Sequence, residues 1–95
     1  MLLEKPMSNG DVISMKLVTG EEIIARFEEE TAEHVKVSRP LAVTLGPQGL
    51  GMMPFMFLAD KETFKIKHSH ILVSGPAKKD AGDQYMQGTT GIAMA

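Results

Sequence analysis

Residues 66–71 read Ile-Lys-His-Ser-His-Ile, and this run holds the densest set of chemically capable side chains in the chain. An ammonium and two imidazoles can contact phosphate, hydrogen-bond a base or ligate a metal ion. His68 and His70 share one side of an extended segment, and His34 is the third imidazole. That spacing suits a transition metal, but no carboxylate ligand is fixed beside it, so neither a metal site nor a cofactor is expected. Ser69 lies between the two histidines, yet no nucleophile elbow or orienting acid accompanies it. The glycines of residues 46–51 lack the Lys and Ser/Thr of a phosphate-binding loop. The chain is therefore not expected to be an enzyme. The plain alternative for Lys67 and His68 is a solvated strand end.

Charge is unevenly spread. Glu21, Glu22, Glu28, Glu29, Glu30 and Glu33 crowd one segment against Arg26, whereas Lys61, Lys65, Lys67, Lys78 and Lys79 dominate a later one. The net charge is -2. Proteins dedicated to nucleic acid are usually basic overall, because phosphate neutralisation supplies most of their affinity. Nucleic-acid binding by this chain must be local, on one face and salt-sensitive. The glutamates read first as a solvated face, and second as a site for a cation or a basic partner.

Ninety-five residues make a single domain. A domain of this size buries only roughly 60–65% of its unfolded surface, and oligomerisation is a common remedy. With no Cys, disulfides, thiolate nucleophiles and cysteine zinc sites are excluded. No run approaches the roughly 20 apolar residues of a membrane span, and the first residues hold no apolar stretch like that of a signal peptide. A cytoplasmic protein without a membrane partner is expected.

Residues 1–11 form a polar lead-in, with a short helix near residues 2–5 limited by Pro6. In residues 12–18, Ile13, Met15 and Leu17 share one face at period two. Thr19-Gly20 supplies a turn, and Ile23, Ala25 and Phe27 again share a face, which makes a hairpin. Val35 and Val37 mark a third strand, Pro40 a bulge, bend or edge, and Leu41, Val43 and Leu45 resume the alternation. Residues 46–51 read as a loop. Residues 53–59 are continuously apolar around Pro54 and read as a strand covered on both sides, one side meeting a second subunit. Phe64 and Ile66 alternate with Lys65 and Lys67, and residues 71–73 end the β pattern. Residues 75–95 lack periodicity and read as a mobile tail. About five short antiparallel strands with tight turns suggest a small barrel or a strongly bent sheet.

Residues 12–74 resemble the Sm-like family. Leu17-Val18-Thr19-Gly20 is similar to the Leu-x-Asn/Asp-Gly turn of the first Sm motif, and Ala25 stands where that family bends its second strand at a glycine. Ile66-Lys67-His68 resembles the Ile-Arg-Gly of eukaryotic and archaeal Sm proteins and, more closely, the Tyr-Lys-His of bacterial Hfq. The acidic loop and Gly-rich tail resemble the Sm-like proteins ascribed to cyanophages. The resemblance implies an all-β, strongly bent five-stranded antiparallel barrel. It implies a ring of roughly five to seven copies, the fourth strand of one subunit pairing with the fifth of the next. Phe55, Phe57, Ile71 and Val73 would then lie at the subunit interface. It also implies RNA, uridine- or adenine-rich, held at the pore. Lys67 would meet phosphate or base, His68 would hydrogen-bond or stack, and His34 would serve third. The family's base-stacking position falls near Glu33, and carboxylates beside a pore repel phosphate. The alternative is an oligomeric adaptor that binds protein through its acidic face.

Overall fold

The computed structural model describes residues 7–89 as six strands and one helix. The strands are β1 (Val12–Leu17), β2 (Glu22–Glu30), β3 (His34–Gly46), β4 (Gly49–Pro54), β5 (Thr63–Lys67) and β6 (Ile71–Pro76), and the helix is α1 (Lys79–Thr89). A single 3-10 turn, His68–His70, joins β5 to β6. The helix expected near residues 2–5 lies outside the described residues.

The first hairpin forms as its alternation predicts. Ile13, Met15 and Leu17 of β1 and Ile23, Ala25 and Phe27 of β2 are all buried, with Val35 and Val37 of β3, in one core. Met7, Phe55, Ile66 and Ile71 pack against that core from its margins. The turn closes through Gly20 N–H donating to the Leu17 carbonyl at 2.8 Å. Gly20 takes φ 99°, a conformation that a Cβ disfavours. No atom stands within 4 Å of where a Cβ would sit, so Gly20→Ala would act through backbone strain alone. It is expected to cost about 1–2 kcal/mol in urea unfolding, and an unchanged midpoint would contradict the left-handed turn.

β3 organises the rest. It pairs with β2 along one side, while on the other its first half pairs with β5 and its second half with β4. Between the halves, the register with β2 shifts by one residue at Arg39–Pro40. Pro40 cannot donate to the ladder and Arg39 has φ 49°, so the strand bends there. Glu62 holds the bend through both its main chain and its side chain. Arg39 N–H donates to the Glu62 carbonyl at 2.7 Å, and Arg39 Nε meets Glu62 Oε1 at 3.0 Å.

The sheet is antiparallel, runs β4-β3-β2-β1-β6 with β5 beside β3, and does not close. The expected five-stranded barrel is thus corrected to an open six-stranded sheet. Among the described residues β6 pairs only with β1, and β4 and β5 pair only with β3, which leaves an edge on each side. Two further expectations fail on the same stretch. The strand expected over residues 53–59 ends at Pro54, one last bond running from Phe55 N–H to the Pro40 carbonyl at 3.0 Å, and residues 55–62 run irregularly with Phe57 71% and Leu58 96% exposed. The loop expected over residues 46–51 is instead a hairpin, Gly46 opposite Gly49, through the tight Pro47-Gln48 turn.

The mobile tail expected from Gly75 is also corrected, for residues 75–89. β6 continues to Pro76 and α1 follows. Two glycines, Gly82 and Gly88, mask the helical period, and the helix is fixed by docking rather than propensity. Tyr85 is its buried residue. Gln84 Nε2 donates to the Leu50 carbonyl at 3.1 Å, and Arg26 Nη2 approaches Met86 Sδ at 3.4 Å. The helix therefore lies over the face of β2–β3 opposite the core.

Candidate nucleic-acid interface

The ribbon of β3 and β5 sorts its side chains by the pleat. Val35, Val37, Phe64 and Ile66 face inward, so His34, Lys36, Ser38, Thr63, Lys65 and Lys67 fall on the outer face. Register places His34 directly opposite Lys67 and Lys36 directly opposite Lys65. Two of the three sequence-nominated residues are thus cross-strand partners, although 33 positions separate them. Lys67 is exposed and forms no ion pair among the described residues. His34 is partly buried, and its Nε2 has no partner among the described residues.

His68 follows immediately, at the start of the 3-10 turn, and is tied to the acidic segment. Its backbone N–H donates to the Glu33 carbonyl at 3.0 Å. Its Nε2 lies 2.9 Å from the Thr31 carbonyl oxygen and 3.3 Å from Glu30 Oε2. Both neighbours are acceptors, which fits a proton on Nε2 and leaves Nδ1 as the free ring atom. Residues 28–33 are therefore not remote from the basic residues: Glu30 borders them. A bulge at Glu28, where the β2–β3 register shifts again, sets that approach.

Beyond Lys67 the surface dips into a groove of about 520 Å³, lined by Lys65, Lys67 and His70 on one side and by the Val18-Thr19 turn with the Glu21 carboxylate on the other. Sequence reasoning named Lys65 and His70 without nominating them as RNA contacts, and did not single out Lys36. The signal for Lys36 and Lys65 was present in the period-two spacing of His34/Lys36 and Lys65/Lys67. Among the described residues, no three His, Asp or Glu side chains are grouped to hold a metal ion, and no helix is long and apolar enough to cross a membrane.

The four residues expected at a subunit interface divide. Phe55 and Ile71 pack against the core, whereas Phe57 and Val73 are exposed. Leu72 and Met53 are exposed beside them, on β6 and β4. In comparisons with known proteins, no family model matches the chain and no curated protein matches it.

Proposed function

We propose that this chain is a ring-forming, Sm-like RNA-binding protein, a scaffold or chaperone for uridine- or adenine-rich single strands and not an enzyme. The observation that carries this reading is the convergence of Lys67, His34 and His68 where β5 turns into β6. An ammonium for phosphate, next to imidazoles that can stack or hydrogen-bond, is a combination suited to an unpaired strand. The resemblance of Ile66-Lys67-His68 to the second Sm motif supports it. Assembly is supported by the two unpaired sheet edges, which allow copies to join head to tail in a ring of roughly five to seven subunits.

A second reading is favoured by one contact. Glu30 stands 3.3 Å from His68 Nε2, so a carboxylate borders the nominated RNA site. An oligomeric adaptor that takes a basic protein surface would use that acidic border.

Fluorescence-anisotropy titration of labelled oligo-U and oligo-A separates the two. The parent protein is expected to bind more weakly as salt rises, and the Lys67→Ala/His68→Ala variant to lose about tenfold or more. Removing one phosphate contact should also lower the salt slope by about 0.7–1. An intact oligomer that binds neither oligonucleotide even at low salt would sink the RNA reading and leave the adaptor.

A further inference from the structure

We propose a second nucleic-acid contact on the outer face of β3–β5, one step of the pleat from Lys67: a lysine groove that takes the phosphodiester backbone of a single strand. The inference deepens the RNA reading, and rests on it for the class of ligand. The groove, about 830 Å³, lies between the β3–β5 ribbon and the irregular residues 58–61, and Lys36, Lys61 and Lys65 line it.

Three observations converge there. Lys36 and Lys65 are direct cross-strand partners, an arrangement in which like charges repel. Neither they nor Lys61 forms an ion pair among the described residues. Asp60 is the one carboxylate in the lining, and the neighbouring Glu62 is turned away onto Arg39. Three unneutralised ammonium groups around one groove in a chain of net charge -2 constitute a local conflict, which an anion removes.

The shape of the patch selects among anions. His34 and Lys67 continue the same outer face, one step of the pleat beyond Lys36 and Lys65. Successive outward positions on a strand are about 6.6 Å apart, close to the spacing of phosphates along an extended strand. Leu58, 96% exposed, lines the groove and gives it an apolar rim against which a base can pack. A folded duplex or a free phosphate ion would not use that apolar rim, whereas an unpaired strand would use both parts.

The test compares Lys36→Gln/Lys65→Gln with Lys67→Ala/His68→Ala, using labelled U6 and U18 across a salt series. The groove variant is expected to bind U18 about tenfold more weakly than the parent does. Its salt slope should be lower by about 1.4, two contacts on a single strand. Its melting temperature should equal or exceed the parent's, because the repulsion is gone. Parent-like affinity and slope in the groove variant, with loss in the Lys67/His68 variant, would overturn this inference and leave the proposed site standing. Loss in the groove variant alone would support the inference and move the principal site. A parent that binds neither oligonucleotide would overturn both, as would retention on phosphatidylserine vesicles without RNA binding.

Discussion

Tyr85→Ala is expected to release α1 from the sheet and to cost the fold about 3–5 kcal/mol. Tyr85 is 0% exposed and is the buried residue of its helix. An 11-residue helix with two glycines has little stability of its own, so what holds it is what Tyr85 touches. The hydroxyl lies 3.1 Å from the Ser38 carbonyl and 2.9 Å from the Arg39 carbonyl. Both belong to the bulge of β3, where the ladder with β2 is out of step and the carbonyls need another donor. The Arg39 guanidinium also donates to the Thr89 carbonyl at the far end of α1. Helix and bend therefore stabilise each other. The loss should be read as a lowered urea midpoint together with fast hydrogen exchange over residues 79–89. Unchanged exchange there would show that the helix does not depend on Tyr85.

The same residue gives a pH dependence. Burial pushes the Tyr85 phenol above its ordinary value of 10.0, against the opposing pull of the Arg26 and Arg39 charges. The folded state therefore favours the neutral form. The resulting stability is complete below about pH 10 and is lost as pH rises through the elevated folded value. Tyr85→Phe keeps the ring and removes the titration. It should cost about 0.5–1.5 kcal/mol at neutral pH through the lost hydrogen bond, and should show a shallower alkaline decline than the parent.

What the sequence made legible is the part of the fold governed by one buried face. Ile13, Met15 and Leu17 against Ile23, Ala25 and Phe27 specify the first hairpin, because a one-residue slip would turn one strand's three core residues out to solvent. Pro40 marked the bend of β3 in advance. The β4 hairpin was illegible, because Gly49 and Gly51 carry no alternation and the pairing is templated by β3. Residues 55–58 misled for a different reason. Hydrophobicity says that a side chain gains by leaving water, not that its own chain provides cover. The candidate site was half legible. Lys67 and His68 could be named from type and spacing, but the opposition of His34 to Lys67 depends on the pairing register of β3 with β5, which no local pattern declares. Neither the approach of Glu30 to His68 nor the lysine groove could be found without that register.

Leu72→Lys/Val73→Lys is expected to convert the proposed ring to monomers while leaving the monomer fold within about 0.5 kcal/mol of the parent. β6 is an edge strand, and no charged residue occurs from Ile71 to Ala77. Soluble proteins blunt such edges with lysine, bulges or cover, because unpaired N–H and C=O groups template another strand. A bulge at Leu72, where the register with β1 shifts, still leaves Leu72 64% and Val73 63% exposed, so this edge stays apolar. The other side of the sheet offers a matching partner: the β4 edge with exposed Met53. Pairing of two different edges is heterologous, so it closes into a ring or continues as a filament. Burying each side chain against a neighbour contributes about 1.5–3 kcal/mol, and placing an ammonium there adds a desolvation penalty. Two such sites amount to about 3–6 kcal/mol per interface, or roughly 10²–10⁴-fold in the dissociation constant. Light scattering at micromolar concentration reads the result directly. A parent that is already monomeric would remove the assembly, whereas a variant with the parent's mass would remove β6 from the interface. A parent mass that grows without limit as concentration rises would mean that the pairing does not close, and would replace the ring with a filament built from the same two edges.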